Sequence, residues 1–289
     1  PSTDWIPVIL AYGRKFGDNG LLEFSQKVAC KNIADAVCGK SPSYRIDNLN
    51  SIINLIEDSG KPSDVLDAQG YYSFNKNVFM ANIQSEIYGR RYTYALLMLL
   101  EYKYKDKSEW KDFGTASIEH ILPQNPKATS QWVKDFSEEQ RSYYTHRIGN
   151  LCLIGRRKNS SLGNLDYQEK LKKYFEKNIG SFASSQKIYQ TYPNTWTPET
   201  VKENQERVIQ DLMEIFGIKS PSTIIDDSTY MELQRSVYPN AYKPWTELDD
   251  ERLVALYNEG KSISELAQMF LRNRGAIQSR IRKLTGERF

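Results

Sequence analysis

Two short apolar runs constrain this chain more than anything else in it. "SIEHILP", residues 117–123, and "NLCLIG", residues 150–155, are rich in aliphatic and β-branched residues, and they are stopped by Pro123 and Gly155. The apolar residues elsewhere recur at helical spacing, so these two runs decide the fold class. They predict an α+β, mostly helical protein in which strand, loop and strand are followed by the amphipathic basic helix "YQEKLKKYFEK". The first run also holds His120, one of only two histidines in the chain, directly after the carboxylate of Glu119.

The residues before this region read as helices. Ile6, Ile9 and Leu10, then Leu49, Ile52, Ile53 and Ile56, recur at helical spacing, and "YTYALLMLLEYKY" has the density of a buried helix. After it, "TWTPETVKENQERVIQDLMEIFG" is a helix capped by Thr197, with Pro198 in its first turn and Gly217 as its stop. Residues 220–240 lose periodicity and gain Ser, Pro and Asp, which predicts a linker. The last segment holds three short helices, with Thr246 and Ser262 as N-caps and Glu265 completing a capping box. The predicted organisation is a helical scaffold over 1–110, a strand-bearing domain with its closing helix over 111–219, the linker, and a three-helix module over 241–289.

Charge and cysteine usage narrow the function classes. With 39 Lys and Arg against 36 Asp and Glu, the net charge of +3 does not by itself announce a polyanionic partner. The bases are concentrated, however, between Arg156 and Lys177 and again between Lys261 and Arg288. Cys30, Cys38 and Cys152 are odd in number and form no C-x-x-C pair, so neither a disulfide framework nor a cysteine zinc site is predicted. A reducing, cytoplasmic setting follows. The longest apolar run, "YALLMLL", is too short to span a bilayer. The chain starts "PSTDWIP" without methionine, as a fragment of something longer or a chain trimmed of its initiator would.

A histidine beside a carboxylate suits phosphodiester hydrolysis. A water must lose a proton as it attacks phosphorus, and the charge on the leaving oxygen must be neutralised, so one general base and one hard cation suffice. Neutral imidazole is the natural base near neutral pH. Regular β geometry sends Glu119 and His120 to opposite faces, so the pair can address one phosphate only from different sides of a bulged or curved hairpin.

"IEHILPQ", "HRIGNLCLI", "RRKNSSLGNL" and "QEKLKKYF", in that order, resemble the HNH, or ββα-metal, nucleases. The similarity is greatest to the HNH domain in the C-terminal part of GmrSD-type modification-dependent restriction endonucleases. It spans roughly Tyr92 to Gly217. The resemblance implies that His120 is the general base, that Asn150 ties the loop between the strands as part of the catalytic set, and that Glu119 and Asn159 hold Mg²⁺ or Mn²⁺. It departs from the wider group in having Glu for the usual Asp at 119 and Asn for the frequent His at 159, and in lacking bracing cysteine pairs. Arg156, Arg157, Lys158 and Lys170 would clamp flanking phosphates. The family implies a bacterial defence enzyme acting on modified phage DNA beside a ParB-like NTPase module or subunit. No P-loop is visible in this sequence.

His146, in "HRIGN", reads as structural or phosphate-contacting rather than as a metal ligand. The C-terminal segment is similar to a Myb-like or helix-turn-helix unit in which Leu253, Leu256 and Tyr257 meet Leu266 and Phe270, with Ile277, Ile281 and Leu284 on the third helix. Arg274, Gln278, Arg280 and Arg282 are then placed to meet DNA. A three-helix protein-docking module has the same pattern. Two further functions fit the sequence: a DNA-binding or regulatory protein whose nuclease fold has lost activity, and a nuclease directed at RNA. One catalytic constellation per chain makes a nick the minimal product.

Overall fold

The computed structural model describes residues 3–105, 116–155, 163–175, 182–219 and 227–286. The chain forms two compact units, one of Pro1–Trp132 with Tyr144–Pro221, the other of Val133–Tyr143 with Ser222–Phe289. This division differs from the predicted one, because the helical N-terminal region and the strand-bearing region share a unit. The second unit takes a segment from between the two strands.

The first unit opens with α1 (Ile6–Phe16), α2 (Leu21–Val37), α3 (Pro42–Asp58), α4 (Pro62–Leu66) and α5 (Gln69–Tyr72). Their apolar faces meet in a core of Val8, Tyr12, Phe24, Val28, Leu49, Ile52, Ile56 and Val65, where Tyr12 stacks on Phe24 at 4.1 Å. Next come α6 (Lys76–Ile83), capped by the Asn75 side chain, and α7 (Thr93–Tyr104). These two begin a larger core that also takes Ala34 and Val37 from α2 and Leu151 and Leu153 from the sheet. Each Val, Leu, Ile, Met or Phe side chain fully buried there contributes about 1.5–3 kcal/mol relative to exposure.

The predicted order of strand, loop, strand and helix is present. β1 (Ala116–His120) is followed by α8 (Gln131–Asp135) and α9 (Glu138–Tyr144), then β2 (Leu151–Gly155) and α10 (Tyr167–Phe175). The strands pair antiparallel, with His120 opposite Leu151 and Glu119 opposite Cys152. His120 therefore shares a face with Leu151 and Leu153, and Glu119 leaves by the other. Two strands alone are marginal in water. Here β2 is buried on both faces.

α11 (Ala183–Thr191) packs against β2, and its first amides, of Ala183 and Ser184, donate to the buried Glu101 carboxylate at 2.9 and 2.8 Å. That carboxylate sits where the helix dipole favours negative charge. α12 (Pro198–Ile215) has Thr197 as its N-cap, as predicted. It lies so close to the turn before β2 that a Cβ on Gly149 would fall 2.7 Å from the Gln205 Cα. The approach is tied by Gly149 N donating to Gln205 Oε1 at 2.5 Å and Asn204 Nδ2 donating to Gly149 O at 2.6 Å. This explains the glycine of "HRIGN": only a residue without a side chain lets helix and turn meet.

In the second unit, α13 (Asp227–Val237) occupies the segment predicted as a linker, which is thus in part helical. α14 (Glu247–Asn258), α15 (Ile263–Met269) and α16 (Arg274–Thr285) follow, capped by Thr246, Ser262 and Asn273. Their core is Leu253, Leu266, Ala267, Phe270, Ile277 and Ile281. Leu284, predicted to join it, is 37 % exposed instead. Arg235 of α13 pairs with Glu139, and Tyr143 meets Tyr242 edge-on, both within this unit. Among the described residues, no helix is long and apolar enough to cross a membrane.

Candidate active site

The site is built at the end of β1, and Asn150 holds it there. The side chain is fully buried, and all of its hydrogen-bonding capacity is used. Nδ2 donates to the carbonyls of Leu122 and Thr145, both at 3.0 Å, while Oδ1 accepts from Leu122 N at 2.8 Å and Trp196 Nε1 at 3.2 Å. The loop leaving β1 is thereby tied to the turn entering β2. This matches the tie expected of Asn150, but not a place in the chemistry, because a side chain with no exposure and no spare capacity touches no substrate. What the geometry gives Asn150 is the tie between the end of β1 and the turn before β2.

Both histidines of the chain meet at this corner. His120 Nε2 lies 3.3 Å from His146 Nδ1, and His120 Nδ1 lies 3.3 Å from Gln124 Nε2. Tyr88 presents its ring to His120 at 4.2 Å and stacks on His146 at 5.4 Å. Tyr88 comes from a tight turn in which Arg90 N donates to Ile87 O at 3.0 Å, with Gly89 at φ +81°. A positive φ at the third residue of such a turn is what glycine supplies. The amides of Ile87 and Tyr88 donate to His146 O at 3.0 and 3.1 Å, which fixes the turn against the histidine. His120 is 6 % exposed, His146 is half-buried and Gln124 is exposed. The neighbour at the Nδ1 edge of His120 is thus an exposed residue, Gln124.

Burial pushes the His120 pKa well below the usual histidine value, and the charges of His146 and Lys170 act in the same direction. The ring is therefore neutral at physiological pH, as a general base must be. Burial also raises the Glu119 carboxyl, against the lowering effect of Lys170 and the His120 amide. Cys152, opposite Glu119, has its thiol pushed up to about 12 by burial, so it is no nucleophile.

Several predicted roles change on this geometry. Glu119 does not stand beside the His120 ring; its Oε1 takes a 2.6 Å ion pair from Lys170, which also donates to His120 O at 2.7 Å. Lys170 is fully buried, so its ammonium cannot clamp a phosphate. Arg280 binds Asp250 through two 2.6 Å bonds and lies over the Trp245 ring, which makes it a brace inside the C-terminal module rather than a free DNA contact. Arg274 and Arg282 are exposed on α16, with Gln278 half-buried. Asn159, Arg156, Arg157 and Lys158 lie outside the described residues.

The sequence assigns His146 a structural or phosphate-contacting role, and Gln124 and Tyr88 were not expected at the site. For His146 the signal was scarcity, since the chain has two histidines and both flank the strand pair. Nothing in the sequence marks Tyr88.

The described donors do not fit a bound divalent ion. The one expected ligand among them, Glu119, is engaged by an ammonium, and no group of three His, Cys, Asp or Glu among the described residues could hold a metal.

Residues 75–211 match the family described as GmrSD restriction endonucleases, C-terminal domain. The match begins before α6 and ends within α12, so it takes in the Tyr88 turn, both strands and α10. It supports a nuclease function of the restriction-endonuclease type. No curated protein and no solved structure matches the chain.

Proposed function

We propose that this chain is an HNH-type DNA endonuclease or nickase, with His120 as the general base that deprotonates the water attacking a backbone phosphate. The observation that carries the reading is the His120 ring itself: a buried imidazole at a strand end whose pKa burial lowers, with the exposed Gln124 side chain at its Nδ1. A base needs a lone pair near the operating pH, and at this edge the exposed Gln124 side chain is the group a water would replace. Asn150 keeps the strand end in register, and the Glu119–Lys170 pair holds the opposite face.

Dependence on Mg²⁺ or Mn²⁺ belongs to the proposal through Asn159 and the family match, not through the described donors. DNA as substrate is in keeping with the same match; its modification, a role in bacterial defence, a ParB-like NTPase partner and a cytoplasmic setting belong to the proposal as what the resemblance implies. Arg274, Gln278 and Arg282 give the C-terminal module a polar, cationic face suited to a DNA groove. The test is nicking of supercoiled plasmid, with and without modified bases, under titration with each cation. Wild type should nick at least about 100-fold faster than His120→Ala, the usual scale for loss of a general base. Equal rates would remove the enzyme reading.

One observation favours a second reading, a DNA-binding or regulatory protein without activity: the carboxylate expected to face a metal is held by a buried ammonium. DNA binding that persists while no cation supports cleavage would establish it.

A further inference from the structure

We propose that the outer face of α14, with Leu284 of α16 at its edge, is a docking surface for a short cationic, amphipathic helix of a partner protein. The surface is distinct from the cationic residues Arg274 and Arg282 of α16, and the inference does not depend on whether the chain cuts DNA.

One side of α14 is turned inward: Leu253 is fully buried, and Leu256 and Tyr257 pack on the same core. At 3.6 residues per turn, Glu247, Leu248, Glu251, Ala255 and the C-cap Glu259 then fall on the outer side, and all five are exposed. Leu248 keeps 74 % of its surface in water, more than any other large apolar side chain among the described residues. Leu248 and Ala255 stand about two turns apart, on one line along the helix. Beside that line is a notch lined by Asp250, Glu251, Val254, Ala255 and Leu284. The leucine that the core of the module leaves out is therefore a wall of this notch.

Charge says what the face can take. Between Glu247 and Glu259 there are five acids and one base. Asp249 is engaged in the Thr246 cap and Asp250 by Arg280, while Arg252, the one base, lies over the Phe270 ring. Glu247, Glu251 and Glu259 are left around the apolar line. Such a rim repels phosphates, so nucleic acid does not suit it. A second copy docking by the same face would set these acids against one another. Aliphatic side chains bordered by Lys or Arg are complementary to it in both respects. A straight apolar line two turns long is matched by another helix, whose axis the small Ala255 lets come close while one larger side chain enters the notch.

The probe is a synthetic peptide of about 14 residues with Leu at helical spacing and Lys elsewhere, beside a scrambled peptide of the same composition. Titrated into the full chain with labelled Ala, Val and Leu methyl groups, the patterned peptide should shift the signals of Leu248, Val254, Ala255 and Leu284 together and to saturation. Leu248→Asp removes an apolar contact and adds a carboxylate, and it should weaken binding about 10-fold. Ala255→Asp should do the same. Glu251→Gln should weaken binding about 2- to 5-fold and lessen its salt dependence. All three side chains are exposed, so the variants should melt as wild type does. Tighter binding to Leu248→Asp would mean that charge alone attracts the peptide, and it overturns the proposal. Shifts that fall elsewhere on the chain, or a scrambled peptide that binds equally well, also overturn it. A wild-type dimer in sedimentation that Leu248→Asp dissolves would make a second copy the occupant, and a tenfold loss of duplex DNA affinity in Leu248→Asp would make the face part of the DNA contact; either result removes the partner helix.

Discussion

The ammonium of Lys170 stands 2.6 Å from the carboxylate of Glu119, with both groups buried. This joins α10 to β1, the helix and strand that the sequence reading assigned to phosphate contact and metal binding. Breaking such a pair strands the remaining charge. Lys170→Met should therefore destabilise the protein by about 3–5 kcal/mol, and adding Glu119→Leu should recover much of the loss. Urea unfolding of the two single variants and the double variant measures it. A Lys170→Met protein of wild-type stability but weakened DNA affinity would restore the surface role.

The low pKa of His120 gives stability a definite pH dependence. The folded pKa lies below the unfolded value of about 6.5, so the unfolded chain takes up a proton first as pH falls. The contribution is whole above about pH 6.5 and is lost on acidification toward the folded pKa, at up to about 1.4 kcal/mol per pH unit. Thermal or urea unfolding between pH 7.5 and 5 should show this slope, and His120→Asn should flatten it. Superimposable profiles would contradict the burial of a neutral ring.

Gly149→Ala places a methyl group 2.7 Å from the Gln205 Cα, a backbone atom that cannot rotate aside. Either the turn before β2 or α12 must shift, at a cost of about 1–3 kcal/mol. Because Asn150 follows directly, nicking should fall with stability, and a fully stable, fully active variant would refute the close approach.

In the C-terminal module the arginines should separate into two kinds. Arg274→Ala and Arg282→Ala should leave the fold intact and each reduce the salt slope of DNA binding by about 1. Arg280→Ala should chiefly lower thermal stability, because it leaves Asp250 without its two bonds. Fluorescence anisotropy across a salt series, beside melting curves, distinguishes them. Uniform loss of affinity with unchanged melting would place Arg280 on the DNA face.

The elements were more legible than the contacts. Thr197, Thr246 and Ser262 are local signals with local consequences, and each caps the helix it announced. The strand pair was legible because short apolar runs and their stop residues lie within a few positions. The Lys170–Glu119 bond joins residues far apart in sequence, and a lysine on a basic amphipathic helix carries no mark of being turned inward. Tyr88 reaches His120 only because a glycine turn folds it back, and neither residue refers to the other in the sequence. The segment 227–237 reads as a linker because Ser, Pro and Asp crowd it and the residues before it.

The core beneath the two strands has a bearing on how the protein can be dissected. It draws Ala34 and Val37 from α2 and Phe216 and Ile218 from beyond α12, all outside the matched stretch of 75–211. Excision at those limits would uncover the oily underside of the hairpin on two flanks. A stable fragment has to retain α2 at one end and Ile218 at the other, and any graft of the histidine-bearing corner onto a foreign scaffold must bring that hidden lining with it.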